Sequence, residues 1–358
     1  VTASLVTGGA GFLGGHLVRT LKEEGDAVRV LDVAEPRGPV PGVEYRRGSV
    51  TDAAAVRSAV EGGDRIFHIA GTAELWSPPG SGALRVHTDG TRRILEAGAA
   101  EGVDRIVHTS TEAILRDFGG ARGAEEGAQA GAEGAAHSPG ANVPAVSGDG
   151  PLLPRPSEVP EGYCRHKLEA ERAALEAAGR GAPVVIVSPG VPMGPDDRNL
   201  TPPSRMLQGF LNGRFPAFLD GWISVVDVRD VAEAYLRVVE KGEPGQRYVV
   251  KGSERRLGDL LRRIEVLTGL RMPRIRIPSA LALGTATLSE LVARYRSGAS
   301  PDATVAGVKI ALAPPRDLGS RSAEELGLSP RSLDETLTAA IRWLRDEGLL
   351  ERQLPRRL

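Results

Sequence analysis

Over its first 190 residues the chain alternates short apolar runs with segments whose apolar positions recur every three or four residues. The runs at 5–6, 28–31, 43–47, 65–71, 103–110 and 184–187 have the length and β-branched content of strands. Between them, Phe12, Leu13, Leu17, Val18 and Leu21 share one side of a helix. Thr51-Asp52 caps a helix through Val60, residues 82–100 read as a long helix, and another runs from Tyr163 to about Ala178. Strand and helix in alternation predict an α/β fold built on a doubly wound parallel sheet. Beyond about Val191 the alternation breaks into Pro-rich loops and amphipathic helices, the signature of a smaller C-terminal α/β lobe. Residues 225–232 and 247–250 are expected to return to the sheet, and a final helix through Trp343 and Leu344 closes the lobe.

Composition narrows the class. A chain of 358 residues with 41% hydrophobic and 25% charged positions has the balance of an ordinary globular protein. Its net charge of −1 gives no support to nucleic-acid binding. The single cysteine, Cys164, excludes an internal disulfide and suits a reducing compartment, so the cytoplasm is expected. Six scattered histidines offer no metal-ligand spacing, and no metal is expected. Apolar runs stay short of the ~18 residues that would span a membrane, and no membrane partner is expected. The stretch 280–292 would suit an apolar substrate, and core packing explains it equally well.

Chemistry enters at the first strand. It runs into Gly8, Gly11 and Gly14 and then directly into a helix, the spacing that lets a pyrophosphate approach backbone N–H groups at a helix N-terminus. The second strand ends in Asp32, near the offset at which a carboxylate accepts from the adenosine ribose. Residues 1–190 are therefore expected to bind a dinucleotide, with 223–250 returning to that domain and 191–222 and 251–358 forming the substrate lobe. Asp32 favours NAD over NADP because it would repel a 2′-phosphate, although Arg37 lies close enough to moderate this. Ser110, Thr111 and Glu112 stand at the carboxyl end of the fifth strand, where such sheets bind ligands. Residues 117–160 read as a flexible insertion: 13 of the 18 residues from Gly119 to Ala136 are Gly or Ala. It is either a lid or a solvated excursion. Tyr163 and Lys167 follow it, spaced to share one helix face. The chain has only five lysines, so one in this place is informative.

These features resemble the extended short-chain dehydrogenase/reductase (NAD-dependent epimerase/dehydratase) superfamily over nearly the whole chain. The resemblance rests on the Thr7-Gly8-x-x-Gly11-x-x-Gly14 loop, the Ser/Thr at the end of strand five, Tyr163-x-x-x-Lys167 and Asp230 in Val228-Arg229-Asp230-Val231-Ala232. Within it the chain is most similar to the hopanoid-associated sugar epimerase and dihydroflavonol-reductase-like group. Leu75-Trp76, Gly90-Thr91, Gly194-Pro195, Thr201-Pro202 and Glu325-Leu326-Gly327 carry that narrower match. The resemblance implies a Rossmann fold, a homodimer and Thr111, Tyr163 and Lys167 as catalytic residues. It implies NAD contacts from Gly8, Gly11, Phe12, Leu13, Gly14, Asp32, Ser49, Val50, Ala70, Gly71, Tyr163, Lys167, Pro189 and Val191, with Glu112 and Ser188 facing the substrate. Three departures stand out: Ser49 in place of an Asp, His87 in place of a structural Asn, and Ser188 where epimerases often carry Asn.

The chemistry implied is hydride exchange with a secondary alcohol or ketone. A phenol with pKa near 10 needs about 4 kcal/mol of differential stabilisation to act as a base near pH 7, and Lys167 beside it is the expected source. The first alternative is a sugar-nucleotide epimerase that oxidises and re-reduces one carbon with retained NAD. The second is a non-catalytic dinucleotide-sensing module, against which the intact Tyr163/Lys167 pair argues. A dehydratase fits less well, because Ala113 follows Glu112 where a second acidic residue is needed.

Overall fold

The computed structural model describes residues 1–78, 82, 85–119, 153–295, 301 and 303–354. Most of the expected insertion, residues 120–152, lies outside the described residues. Twelve strands are described: β1 (Ala3–Thr7), β2 (Ala27–Asp32), β3 (Glu44–Arg47), β4 (Arg65–His68), β5 (Arg105–Thr109), β6 (Val184–Pro189), β7 (Val191–Met193), β8 (Ala217–Phe218), β9 (Trp222–Asp227), β10 (Arg247–Val250), β11 (Ser253–Arg256) and β12 (Ile275–Arg276). Seven of them form one sheet in the order β10-β6-β5-β4-β1-β2-β3, every pair parallel.

Register explains why the strands read as nearly continuous apolar runs. Val6 lies beside Val30 and Phe67, and Phe67 beside Val107, which pairs with Val185. That row lies in the same core as Leu17, Val18 and Leu21 of α1 (Phe12–Glu23) and Val231, Ala234, Tyr235 and Val238 of the helix Val228–Lys241. Leu5, Ile66, Ile106 and Val184 form the neighbouring row and belong to a second core with α2 (Ala53–Val60), α3 (Thr91–Glu101) and α4 (Tyr163–Gly179). A sheet covered on both faces has no reason to alternate polar with apolar positions.

Chain order reverses between β1 and β4, which makes their carboxyl ends the switch point where open α/β sheets hold ligands. Gly8 leaves β1 with φ of +77°, and a Cβ there would sit 2.8 Å from Ala70 Cα at the end of β4. A Cβ on Gly14 would lie 2.1 Å from the Gly8 carbonyl oxygen. The helix thus begins in direct contact with the turn that precedes it.

Two expectations are corrected. Residues 225–232 do not return to the main sheet as a strand: β9 pairs with β7 and β11 in a separate three-stranded sheet, and helix starts at Val228 where Asp227 caps it. Only β10 returns, at the sheet edge beside β6. The helix expected at 82–100 is an ordinary α-helix only from Thr91; Val86–Gly90 is a wider π turn that carries His87 inward. The smaller lobe has its own core, in which Leu337, Ile341, Trp343 and Leu344 of the final helix, Leu333–Asp346, meet Leu260, Leu261, Ile264 and Phe210.

A buried chain of hydrogen bonds locks β1, β4 and α3 together below the cleft. The Ala70 N–H donates to Thr7 Oγ1 at 3.2 Å, and Thr7 Oγ1 lies 2.8 Å from His68 Nδ1. On the other side His68 Nε2 lies 3.0 Å from Thr91 Oγ1, whose hydroxyl donates to the His87 carbonyl at 2.6 Å. Each hydroxyl has one proton to give, so the chain is satisfied throughout only by neutral His68 protonated on Nε2. Burial, assisted by the Lys167 charge, pushes its pKa down to about 3.

Two outcomes are expected. Gly14→Ala should lower unfolding stability by about 1–3 kcal/mol, because backbone must move to admit the methyl. Gly15→Ala, whose Cβ would meet nothing nearer than 3.8 Å, should be tolerated; denaturant titration of both variants is the check. An imidazole held neutral favours the native state where the unfolded state is neutral too. Stability should therefore fall as pH drops below about 6.5, continuing toward His68's folded value of about 3. At pH 5 the loss from His68 alone should be about 2 kcal/mol. Urea midpoints at pH 7.5 and 5.0, for the native chain and His68→Gln, measure it.

Candidate active site

The cofactor end is built by the glycine loop. No side chain caps the first turn of α1, so its N–H groups are open to an anion. Gly9, Ala10, Gly11 and Phe12 line a cleft of about 140 Å³ with Arg37, Tyr45, Arg198 and Asn199 on its outer wall. Asp32 stands at the loop: one carboxylate oxygen accepts from the Ala10 N–H and the other from the Ala34 N–H, both at 3.0 Å. Arg37 donates to the Arg198 carbonyl at 2.7 Å. A backbone turn in which Gly8, Gly9 and Gly14 leave no room for a Cβ, open helix N–H groups and a carboxylate at the end of β2 fit a dinucleotide.

The other expected cofactor residues surround this cleft unequally. Ala70 and Gly71 end β4 against the loop, and a Cβ on Gly71 would strike the His87 ring. Leu13 packs partly into the core beneath α1, while Phe12 lies edge-on to His16. Val50 is buried against Gly90, and the Ser49 hydroxyl is taken up by a local turn with Thr51, 2.7 Å away. Pro189 and Val191 flank Gly190, whose N–H donates to Val250, so they stand where the main sheet passes into the second one.

At the carboxyl end of β5 three expected residues come together. The Thr111 side chain hydrogen-bonds the Tyr163 phenol. Lys167, one turn along α4, is buried, and its Nζ donates to the Thr109 carbonyl at 2.9 Å. The π turn aims His87 at the same place: its ring meets that of Tyr163 edge to face, 5.8 Å between centroids. Charge balance departs from the expected depression of the phenol. Burial raises the Tyr163 pKa, the Thr111 hydrogen bond opposing it, and burial also pulls Lys167 down to about 8 while Glu171 holds it up. Removing water penalises both charged forms, which a side-chain pairing read from spacing cannot register.

Glu171 itself gave no signal in the sequence beyond standing four residues after Lys167. It is fully buried, accepts from the Ser110 hydroxyl and pairs with buried Arg247 of β10. Removing one partner from such a pair costs about 3–5 kcal/mol, so the pair fixes α4 between β5 and β10. His68 and His108 are further buried neighbours of the site that sequence reading passed over as ordinary strand positions.

The two expected substrate residues are both buried. Glu112 reaches Arg116 at 3.3 Å, and Arg116 in turn donates to the Trp222 and Ile310 carbonyls, tying the turn after β5 to the smaller lobe. Burial raises the Glu112 pKa, with Arg116 opposing it. Ser188 is fully buried in β6, its hydroxyl without a hydrogen-bond partner among the described residues. Among the described residues no group of three His, Cys, Asp or Glu side chains could hold a metal ion.

Comparison with known proteins gives the family. The model of the NAD dependent epimerase/dehydratase family matches residues 4–250. A Synechocystis sp. protein provisionally named dihydroflavonol 4-reductase is 30% identical, the match covering 97% of this chain and 96% of the relative. Sterol demethylase protein B of Methylococcus capsulatus is 31% identical over 97% of this chain and 99% of its own length. Among solved structures, the crystal structure of gox2253 superposes with a TM-score of 0.74 at 27% identity, covering 98% of this chain and all of the other. The glycine cradle, the Rossmann sheet and these relatives identify the chain as an enzyme of the extended short-chain dehydrogenase/reductase type, a member of the NAD-dependent epimerase/dehydratase family.

Proposed function

We propose that the chain is an NAD(H)-dependent oxidoreductase that interconverts a secondary alcohol and its ketone, working as a cytoplasmic homodimer. The observation that carries this reading is the meeting of Thr111, Tyr163 and Lys167 at the end of β5, facing the switch point that the glycine loop builds. The names of two relatives, a dihydroflavonol reductase and a sterol demethylase component, favour a bulky apolar ketone. Apolar surroundings agree: Tyr163 packs against the buried cluster that includes Ile114, Leu115, Leu168 and Val249.

The glycine loop and Asp32 would hold NADH, which when bound would supply the hydride. The proton comes from Tyr163, whose burial keeps the phenol protonated through neutral pH, the form a general acid needs. Thr111 holds the substrate oxygen within reach of that phenol. Lys167 spends one N–H on Thr109, leaving two to steady the developing phenolate and a ribose hydroxyl. Asp32 at the end of β2 favours NAD by accepting from the ribose and repelling a 2′-phosphate.

Tyr163→Phe should cut kcat for ketone reduction about 10²–10⁴-fold while leaving NADH affinity within a few fold. Reduction should hold steady through neutral pH and decline above about 8, where Lys167 loses its charge. Lys167→Arg should move that decline to higher pH if it retains activity. NADH should exceed NADPH in kcat/KM by at least about tenfold, one well-placed charge contact being worth that much. A screen of ketones and nucleotide sugars checks all of this. Stoichiometric NAD released from denatured protein, with no ketone oxidising added NADH, would instead establish the epimerase reading.

A further inference from the structure

Core packing does not explain the apolar stretch at 280–292. The helix Ser279–Tyr295 fully buries only small side chains, Ala282, Ala286 and Ala293, the first two beside Val308 of the helix Val305–Leu312, with Leu283 partly buried against them. Its other large side chains point out. Leu281, Leu288, Leu291, Val292 and Tyr295 are between 43% and 84% exposed, and the spacing 281, 288, 295 with 291 and 292 alongside gathers them on one face. Of the ten large apolar side chains exposed among the described residues, seven fall between 266 and 295, so the patch is a property of this segment and not of the surface generally.

Charge gives the occupant. Residues 266–295 carry Arg271, Arg274, Arg276 and Arg294 against Glu290 alone, a local excess of positive charge on a chain whose net charge is −1. Glu290 is committed inside the lobe, accepting from the Val305 N–H at 2.8 Å. Arg274 and Arg276 pair with the largely covered carboxylates of Glu265 and Asp220, so the positive charge of this face rests on Arg271 and Arg294, which enter no ion pair among the described residues. A second copy meeting this face about a two-fold axis would bring two faces of the same positive charge together. A surface of anionic lipid meets both features at once, taking the apolar side chains into its acyl boundary and the guanidinium groups at its headgroups.

We propose that the helix Ser279–Tyr295 docks this enzyme on anionic lipid membranes, lying in the interface and not crossing it. No helix among the described residues is long and apolar enough to cross a membrane. The docking face is one helix away from the reaction site. Val305–Leu312 packs under it, Gly307 of that helix abuts Leu75, and the Ile310 carbonyl holds Arg116. The docking stands independently of the proposed chemistry, and it would bring the mouth of the cleft toward substrates dissolved in lipid.

Co-sedimentation of the full chain with vesicles tests it. Vesicles of phosphatidylcholine with phosphatidylglycerol should bind at least tenfold more protein than phosphatidylcholine alone, and raised salt should reverse the gain. Leu288→Asp combined with Leu291→Asp should lower partitioning at least tenfold. Arg271→Glu with Arg294→Glu should lower it on anionic vesicles only. NADH affinity reports that each variant is folded, and reduction of a water-soluble ketone should be unaltered in all of them, so failure of docking and failure of the catalytic reading are separable. Should the aspartate variant not fold, Leu288→Trp should be quenched by lipids brominated on their acyl chains. Absence of binding by the native chain overturns the proposal, as does binding indifferent to these substitutions. A native dimer that Leu288→Asp converts to a monomer assigns the face to a second copy and overturns it too.

Discussion

Helix α1 lies where it does because Gly14 has no side chain, and much of the molecule follows from that approach. The helix starts in van der Waals contact with the turn that ends β1, which aims its open N–H groups at the switch point. Further along, His16 Nε2 lies 3.0 Å from the Pro195 carbonyl and Arg19 reaches Asp196 at 3.1 Å, so the same helix anchors the loop that follows β7. Its buried side packs with the helix Val228–Lys241, which continues from β9 of the second sheet. One steric permission therefore sets both the anion site and the seat of the smaller lobe.

Polar groups do for the carboxyl end of β5 what packing does for the glycine loop. Helix α4 contributes apolar side chains to two cores, yet its position along the sheet is defined by charges and hydrogen bonds: Glu171 with Ser110 and Arg247, and Lys167 with the Thr109 carbonyl. An apolar contact tolerates sliding, whereas a buried ion pair is costly in every register but one. The Thr7–His68–Thr91 chain restrains the opposite wall in the same way. Placing ionisable groups in this dry setting shifts their balance toward neutral forms, which keeps the Tyr163 phenol protonated and leaves Lys167 charged only below about 8.

The smaller lobe joins this frame through Arg116. Its guanidinium collects Glu112 from the turn after β5, the Trp222 carbonyl from β9 and the Ile310 carbonyl from the helix Val305–Leu312. Glu112 thus serves as an anchor between the lobes in this structure. The helix pair beyond it shows a different economy, with Ala282, Ala286 and Ala293 inward and Leu281, Leu288 and Leu291 outward, a distribution that makes sense for a surface that meets something other than water.

By itself the amino-acid sequence determined the parallel sheet, the glycine turn after β1 and the shared helix face of Tyr163 and Lys167. These are local matters: a strand buried on both faces must read as an apolar run, a turn that admits phosphate must be free of Cβ atoms, and residues four apart on a helix must share a face. Tertiary structure alone decided the rest. It sent β9 to a separate sheet and β10 to the edge of the main one, because pairing depends on neighbours far away in the chain. It joined Glu171 to Arg247 across 76 residues and Glu112's partner Arg116 to Ile310 across 194. It turned the phenol's pKa upward, since burial is a property of the assembled fold and not of spacing. It also divided the apolar stretch at 280–292, which composition left open between core and ligand contact: Ala282, Ala286 and part of Leu283 meet the core beside Val308, and Leu281, Leu288, Leu291 and Val292 are left facing out.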